Sequence, residues 1–226
     1  MNELIVEILY NLSNELARPT NWPWIIISYV IGSIPFGFLK GKIIKGPDYD
    51  IRKDREGSGS MGSANGNRLL GKRAGTQIKM ADISKGIVVI LIAYILIYFN
   101  FINRWGLVLV GSACVLGHCF PIFLWLAFSG KGASTTMGVL IMTNPISAIA
   151  GYATREVVIK ATKKSSYGTI LGVIVALATS IALYATNYLR IEYLAILGIL
   201  TMIIILTHIP NMIRIIKGKE NKIDTT

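Results

Sequence analysis

The sequence predicts an all-α polytopic membrane protein, and two observations carry that prediction. The chain has 226 residues, 53% of them hydrophobic, and its mean hydropathy is +0.56. Its apolar residues form continuous runs without Asp, Glu, Lys or Arg, and about 20 such residues in a helix cross the hydrocarbon core of a bilayer. Continuous runs indicate helices, whereas a barrel would show alternation. The runs are Trp22–Leu39, Gly86–Ile102, Trp105–Phe128, Ala133–Thr154, Ser165–Leu189 and Tyr193–Ile213.

The distribution of basic residues indicates how many of these runs cross the membrane. The chain carries 23 Lys and Arg residues, and basic loops favour the cytoplasmic side. With the N-terminus outside, six simple spans would leave ten basic residues outside. If Ala133–Thr154 enters the membrane and returns to the same side, only Arg18, Arg104 and Arg190 remain outside. The count therefore favours five crossings and one run that does not cross.

The run Ala133–Thr154 also contains a reason to break. Asn144 and Pro145 lie at its centre, and proline interrupts the helical hydrogen bonds and restricts the residue before it. We therefore expect a helical bundle of five full spans plus a broken or re-entrant helix pair, which makes seven helices when the pair counts as two. A proline-kinked sixth span is the alternative.

This topology divides a single integral membrane domain, residues 1–226, between the two sides of the membrane. Residues 1–21 are expected outside. They carry three Glu residues and no basic leading region, unlike a signal peptide, and their apolar residues fit a short interfacial helix. Residues 40–85, 129–164 and 214–226 are expected at the cytoplasmic face. These polar segments are far apart in the sequence but would meet at one membrane surface.

The composition of the chain disfavours several classes of partner and of enzyme. A net charge of +11 in a membrane protein reflects topology and also attracts phosphorylated substrates, so no nucleic-acid partner is expected. Cys114 and Cys119 lie inside one apolar run, which argues against a disulfide framework. The sequence contains no G-x-S-x-G pattern, two histidines and no carboxylate cluster. A nucleophile-elbow hydrolase and a metal hydrolase are therefore disfavoured, and no metal site is predicted.

The first polar segment contains GSGSMGSAN at residues 57–65, followed by Arg68. Glycines allow successive backbone N–H groups to converge on an anion, serines add hydroxyl donors, and a guanidinium matches phosphate. The segment includes a G-x-G-x-x-G pattern, but it follows a charged run and not a buried strand, so no dinucleotide site is predicted. The segment is either a phosphate cradle or a flexible linker.

Polar residues mark two other membrane boundaries. Gly130-Lys131-Gly132 places an ammonium between two glycines, while His208 and Asn211 are three residues apart, a spacing that shares one helical face. Taken singly, these are ordinary basic or structural residues near membrane exits. Together they are compatible with an enzyme that uses a phosphorylated substrate, or with a transporter or binding protein for a phosphorylated metabolite. Uncharged spans and the absence of an internal repeat favour the enzyme.

Three motifs together are similar to those of the bacterial acyl-phosphate-dependent glycerol-3-phosphate acyltransferase family, integral membrane enzymes of phospholipid synthesis. The first motif resembles GSGN-x-GATN-x-x-R and stands here as GSGSMGSANGNR. The second resembles GH-x-FP-x-F followed by KGGKG-x-AT and stands as GHCFPIF and FSGKGAST. The third resembles HR-x-NI-x-RL-x-x-G-x-E and stands as HIPNMIRIIKGKE. The similarity runs from about Ile31 to Glu220, with the motifs in the family's order.

The resemblance implies acyl transfer from acyl-phosphate to the 1-hydroxyl of glycerol 3-phosphate, giving 1-acyl-glycerol 3-phosphate (lysophosphatidate) and phosphate. It implies no cofactor, an external N-terminus, and active-site loops and a C-terminus at the cytoplasmic face of the cell (inner) membrane. We expect a functional monomer whose partners are the two substrates and the lipid bilayer. By resemblance, Arg68, Lys131 and His208 would be catalytic. These three would also bind substrate, together with Ser58, Gly59, Asn65, Gly132, Thr169 and Asn211.

The sequence departs from the family's motifs at several positions. Ser60 stands in place of Asn, Ala64 in place of Thr, Phe128 in place of Lys and Ser129 in place of Gly, and Ile209-Pro210 replaces the motif's Arg and its neighbour. The residues assigned to the site are kept, while their surroundings differ. A divergent acyltransferase with another acceptor is therefore a further alternative.

Overall fold

The computed structural model of the protein describes residues 2–54 and 56–221. Met1, Arg55 and residues 222–226, which belong to the predicted segments 1–21, 40–85 and 214–226, lie outside the described residues. The described residues form helices and no strand, so the predicted all-α class is confirmed. The helices are α1 (Asn2–Leu16), α2 (Trp22–Ser33), α3 (Phe36–Lys45), α4 (Ser63–Leu70), α5 (Lys72–Tyr98), α6 (Arg104–Cys119), α7 (Ala133–Thr143), α8 (Pro145–Thr162), α9 (Ser165–Ala185) and α10 (Ile191–Ile216).

Five stretches of the described chain are long and apolar enough to cross a bilayer, as predicted. The first combines α2 and α3, which are separated at Ile34–Pro35 because proline cannot continue the helical hydrogen bonds. The others are formed by α5, α6 with the turn after it, α9 and α10. Their bounds are Pro19–Lys45, Lys72–Tyr98, Arg104–Leu124, Ser165–Ala185 and Ile191–Ile216.

The predicted break separates α7 from α8 and makes them a re-entrant pair. Asn144 leaves the helical conformation, with φ −155° and ψ 75°, and its side-chain oxygen accepts a hydrogen bond from the N–H of Ser147, which caps α8. Both outer ends of the pair lie at one face of the bundle. Before α7, the carbonyl of Lys131 accepts from Thr207 Oγ1 in the second half of α10 (3.1 Å), and only two residues separate α8 from α9. We call this surface, formed by residues 46–54, 56–62, 120–132, 163–164 and 217–221, the loop face.

Close helix contacts hold the spans and the pair together. A Cβ atom on Gly138 of α7 would lie 2.0 Å from the carbonyl oxygen of Ile83 on α5. A Cβ atom on Gly32 of α2 would lie 2.0 Å from the carbonyl oxygen of Cys114 on α6. Any larger residue at these two glycines would force the helices apart. The main apolar core fills the space between α5, α6, α7 and α10.

Helix α5 begins earlier than the apolar pattern indicates. The uncharged run starts at Gly86, but the helix starts at Lys72. Asp82 and Lys85 therefore fall inside the second candidate span, where they are 2% and 3% exposed. A buried charge is costly unless it is paired and hydrogen-bonded, so these two residues must compensate each other.

The buried ions form a cluster that links three helices. Asp82 Oδ1 lies 2.9 Å from Lys85 Nζ and 3.4 Å from His118 Nδ1 on α6. The second contact is too poorly directed to be a hydrogen bond, since His118 Nδ1 has no hydrogen-bond partner among the described residues. Lys85 Nζ also donates to the carbonyl oxygen of Gly32 on α2 (3.1 Å). The Asp82–Lys85 ion pair is thus the main compensation for the buried carboxylate.

Helix α1 packs against the end of the bundle opposite the loop face. Glu15 is buried and accepts hydrogen bonds from the side-chain amides of Asn21 (2.9 Å) and Asn103 (2.7 Å). Arg18 Nε lies 3.2 Å from the same carboxylate. Asn103 in turn caps α6. This carboxylate therefore fixes the N-terminal helix to the start of α6. The apolar residues that α1 leaves exposed include Ile5, Val6, Leu9 and Tyr10.

Replacing Lys85 by Met should lower the free energy of unfolding by about 3–5 kcal/mol, because the Asp82 carboxylate would stay buried without its cation. The measurement is the unfolding of purified protein in mixed micelles with increasing denaturing detergent. The double variant Asp82→Asn, Lys85→Met removes both charges and should recover most of the loss. Ser84→Ala, an exposed neighbour on α5, is the control. Equal stability of the single and double variants would contradict the role assigned to the ion pair.

Candidate active site

One cleft opens at the loop face and runs into the bundle between α7, α8, α9 and α10. Its volume, including its open mouth, is about 1210 Å³. Polar side chains from the loop face line one part, and small or apolar side chains line the part between the helices. The polar part includes Ser58, Ser60, Arg68, Lys131, Ser166, His208, Asn211 and Glu220. The apolar part includes Met137, Leu140, Ala148, Gly151, Gly172, Val173, Ala176 and Ile204.

Asn65 holds the glycine-rich loop in shape. Its Oδ1 accepts hydrogen bonds from the backbone N–H of Ser58 (2.8 Å) and from Nη1 of Arg68 (3.3 Å). Its Nδ2 donates to the carbonyl oxygens of Ser60 (2.6 Å) and Ile51 (3.3 Å). An Asn side chain offers two donor hydrogens and two acceptor lone pairs, so the protein itself uses the whole amide. Asn65 lies behind the loop and does not line the cleft.

The backbone carbonyl of Ser129 joins the first loop to the second. It accepts from the N–H of Met61 (2.8 Å) and from the hydroxyl of Ser60 (3.3 Å). The N–H of Ser129 donates to the carbonyl of Cys119 at the end of α6 (3.0 Å). Ser60 and Ser129 both occupy positions where the sequence departs from the family's motifs. The two departures are therefore in contact, and they keep the loops connected.

A turn that requires small residues presents Lys131. A Cβ atom on Gly130 would lie 2.3 Å from Nε2 of His118. Gly132 has φ +83°, a left-handed conformation that favours glycine, and its Cβ would lie 2.9 Å from Cγ1 of Val115. The turn is thus packed directly against α6, which fixes where the Lys131 side chain enters the cleft.

Burial and charge set the protonation of the polar part of the cleft. Burial lowers the pKa of Lys131 to about 8, an effect that the attraction of Glu220 opposes. Burial also lowers the pKa of Arg68, although a guanidinium stays charged at neutral pH. For Glu220, burial alone would raise the pKa, but hydrogen bonds from three neighbouring side chains hold it below its usual value. At neutral pH the polar part of the cleft therefore presents Arg68 and Lys131 as cations near the Glu220 carboxylate.

His208 presents one ring nitrogen as an acceptor. Its Nδ1 lies 2.8 Å from the carbonyl oxygen of Ile204, and a carbonyl can only accept. Nδ1 therefore carries the hydrogen, and in the neutral ring Nε2 keeps its lone pair. Pro210 does not disturb this arrangement, because α10 continues through it to Ile216.

Asn211 belongs to a buried network that folds the end of the chain onto α9. Its Nδ2 donates to Ser166 Oγ (2.7 Å) and to Glu220 Oε1 (2.7 Å), while Ser166 Oγ donates to the same carboxylate. Arg214 Nε donates to the other oxygen of Glu220 (3.1 Å). The Oδ1 of Asn211 is buried without a hydrogen-bond partner among the described residues. Buried polar atoms normally have partners, so this atom is suited to accept a hydrogen bond from a ligand.

Most of the residues predicted for the site line the cleft. They are Ser58, Arg68, Lys131, Gly132, Thr169, His208 and Asn211. Two do not: Asn65 lies behind the loop, and Gly59 is exposed in a turn with φ +72°. The hydroxyl of Thr169 donates to the carbonyl of Ser165 (3.0 Å), so toward the cleft it offers only its acceptor capacity.

Sequence reasoning missed Ser166 and Glu220 as parts of the site. Glu220 is the last residue of the third motif, and Ser166 follows the basic pair Lys163–Lys164. These positions, within a motif and beside a basic pair at a membrane boundary, were visible in the sequence. However, neither shows that residues after α10 fold back onto the start of α9, since that contact is non-local. Sequence reasoning also gave no role to Lys79 and Arg155, which line the cleft from α5 and α8.

Replacing Asn65 by Ala should destabilise the first loop, at a cost of about 2–3 kcal/mol in the free energy of unfolding, because buried carbonyl groups lose their donors. Thermal unfolding in detergent measures the loss, and the rate of proteolysis within residues 46–62 should rise with it. Asn67→Ala is the matched control, because Asn67 Oδ1 has no hydrogen-bond partner among the described residues. Equal effects of the two substitutions would contradict the role of Asn65.

The chain matches known proteins over most of its length. Residues 22–218 match the sequence model of the glycerol-3-phosphate acyltransferase family. The glycerol-3-phosphate acyltransferases of Aliarcobacter butzleri and of Anaeromyxobacter sp. (strain Fw109-5) are 36% and 35% identical to this chain. These alignments cover 88% and 86% of this chain and 94% and 92% of the relatives.

A solved structure has the same fold. The crystal structure of PlsY (YgiH), an integral membrane glycerol 3-phosphate acyltransferase, in its glycerol 3-phosphate form, matches with a TM-score of 0.77 and 30% identity. The match covers 91% of this chain and 96% of that chain. Its lysophosphatidic acid form matches with a TM-score of 0.76. On the sequence match, the relatives and the shared fold, this chain belongs to the glycerol-3-phosphate acyltransferase family.

Proposed function

We propose that the protein transfers an acyl group from acyl-phosphate to the 1-hydroxyl of glycerol 3-phosphate. The products are 1-acyl-glycerol 3-phosphate (lysophosphatidate) and phosphate, and the reaction serves phospholipid synthesis at the cytoplasmic face of the cell membrane. One observation carries the proposal: a single cleft joins a cationic part, with Arg68 and Lys131, to an apolar part between the helices. This is the shape and charge that a phosphorylated head and an acyl chain require together.

The phosphate of glycerol 3-phosphate would bind between the first two loops. The Arg68 guanidinium and the Lys131 ammonium supply charge, and the hydroxyl of Ser58 adds a donor from the cleft wall. Asn65 acts indirectly by holding Ser58 and Arg68 in place. Because the loops are already fixed by hydrogen bonds, little ordering is needed when the anion binds.

The glycerol hydroxyls would bind near Asn211 and His208. The Oδ1 of Asn211 lacks a partner within the described chain and would accept from one hydroxyl. The Nε2 of His208, kept as an acceptor by the bond from Nδ1 to Ile204, would accept from the attacking 1-hydroxyl. The proton of that hydroxyl would pass to His208 or to the phosphate that leaves the donor.

The chemistry needs no protein nucleophile, because the acyl-phosphate is already activated. The oxygen of the 1-hydroxyl forms a bond to the acyl carbon, and the bond from that carbon to the phosphate oxygen breaks. Catalysis then consists of holding two anions in line and stabilising negative charge as it develops. Lys131 is suited to the second task, because its ammonium is partly removed from water.

A direct assay tests the proposal. Purified protein in detergent receives palmitoyl-phosphate and glycerol 3-phosphate, and release of phosphate is followed together with formation of lysophosphatidate. We expect both products in equal amounts from palmitoyl-phosphate and none from palmitoyl-CoA. Equal turnover with palmitoyl-CoA would contradict the proposed donor. Turnover only with other phosphorylated acceptors would identify a divergent acyltransferase.

Replacing Lys131 or Arg68 by Ala should reduce turnover at least about 100-fold, because each removes a charge that positions the phosphate of glycerol 3-phosphate for the reaction. The same assay, run on protein whose thermal unfolding is unchanged, provides the measurement. Arg73→Ala is the control: Arg73 is exposed on the neighbouring turn of α5 and does not line the cleft. Wild-type turnover in either Ala variant would exclude the proposed phosphate site.

The activity should fall as the pH rises through about 8. Burial lowers the pKa of Lys131 to about 8, so its ammonium is present below that pH and is lost above it. The dependence of kcat/KM on pH reports the free enzyme. Lys131→Arg should move the alkaline limb to higher pH, since a guanidinium keeps its charge. An alkaline limb that does not move in this variant would assign it to another group.

A further inference from the structure

The cleft contains a second group of polar side chains, on α5 and α8, that the site described above does not use. We propose that Lys79 and Arg155, together with Tyr152, form a second anion subsite, which binds the phosphate of the acyl-phosphate donor. The proposal rests on the function proposed above, because it assigns the donor's phosphate a place of its own. The three residues line the same cleft as Arg68 and Lys131.

The ammonium of Lys79 lines the cleft without a carboxylate partner among the described residues. Its Nζ donates to the hydroxyl of Tyr152 on α8 (3.0 Å) and lies 4.6 Å from the centre of that ring. Within the described residues no carboxylate lies within 4.0 Å of this ammonium. The contact with Tyr152 therefore directs the Lys79 side chain across the gap between α5 and α8 without neutralising its charge.

Arg155 lies where the apolar part of the cleft meets its polar part. A Cβ atom on Gly172, which lines the apolar part, would be 3.1 Å from Cβ of Arg155. At its other end, the guanidinium is paired with Glu156 through Nη1 and has a 3.5 Å contact from Nη2 to the hydroxyl of Ser165. Ser165 precedes Ser166, which is part of the Asn211 network. The side chain of Arg155 thus extends from the apolar part toward the acceptor site.

The reaction explains why a second cationic group is needed. Both substrates carry a phosphate, and two such anions placed side by side repel each other strongly where water is partly excluded. Arg68 and Lys131 can compensate one of them. A donor whose acyl chain occupies the apolar part between α7 and α10 must place its phosphate at the polar end of that part. That end is where Arg155 lies, and Tyr152, which binds Lys79, is three residues before it on α8.

Membrane topology alone does not account for these two residues. Basic residues at the cytoplasmic ends of spans are expected in any membrane protein, and Lys72, Arg73 and Lys160 are such residues. These three are exposed and do not line the cleft, unlike Lys79 and Arg155. Lys160 is therefore a suitable control residue for Arg155, since both lie on α8 and only Arg155 lines the cleft.

Steady-state kinetics with separate variation of the two substrates tests the subsite. Lys79→Gln and Arg155→Gln should each raise the KM for palmitoyl-phosphate about tenfold, as expected for one lost charge-assisted contact. The KM for glycerol 3-phosphate should stay within about twofold of the wild-type value, by the additivity expected of separate sites. Arg155→Lys should retain part of the affinity, and Lys160→Gln should behave as wild type. An unchanged KM for the donor, or an equal rise in both KM values, would overturn the proposal.

Binding of a non-hydrolysable donor separates this inference from the proposed function. A palmitoyl phosphonate is titrated into wild-type protein and into Arg155→Gln, both with unchanged thermal unfolding. Weaker binding to the variant, without any turnover of palmitoyl-phosphate by the wild type, would refute the proposed function and retain the anion subsite. Turnover by the wild type with equal phosphonate binding to both proteins would refute the subsite alone. Absence of both turnover and binding in the wild type would refute both.

Discussion

The turn at Asn144 is the constraint on which the site depends. Asn144 accepts from the N–H of Ser147 (3.2 Å) and donates to the hydroxyl of Ser180 on α9 (2.7 Å), and the two serine hydroxyls are 2.9 Å apart. Backbone polar groups inside a bilayer must be satisfied by protein, and this cluster allows a chain reversal there. If α7 and α8 instead crossed as one helix, Lys131 would be separated from α9 and from the end of α10. The re-entrant pair thus brings the second loop, α9 and α10 to one face.

At that face, the loops are fixed by contacts that are independent of substrate. Asn65 uses its whole amide within the first loop, the carbonyl of Ser129 ties the two loops together, and Glu220 closes the third segment onto Ser166. Three segments that are distant in the sequence are thereby held in one arrangement. Charge is added to this framework by Arg68 and Lys131. Because the framework is rigid and the cations are partly buried, the site is preorganised for a phosphorylated ligand.

Much of this architecture could be predicted from the sequence. Runs of uncharged residues located the spans, and the positions of basic residues together with Pro145 predicted the broken pair. The early start of α5 could not be predicted in this way, because hydropathy treats Asp82 and Lys85 as loop residues while their mutual pairing allows burial. The site was predicted as a set of residues from motif resemblance. The sequence could not show which of these residues line the cleft and which support it. Asn65 faces away from the cleft, and Ser166 joins the site through contacts between residues that are distant in the sequence.

Equilibrium binding of glycerol 3-phosphate, without any donor, tests the central claim that the loops form a site for a phosphorylated acceptor. Calorimetry on the purified protein in detergent would compare glycerol 3-phosphate, inorganic phosphate and glycerol. We predict that glycerol 3-phosphate binds at a single site, that inorganic phosphate competes for it, and that glycerol does not bind detectably. Binding of glycerol as tight as that of glycerol 3-phosphate, or failure of phosphate to compete, would contradict the account.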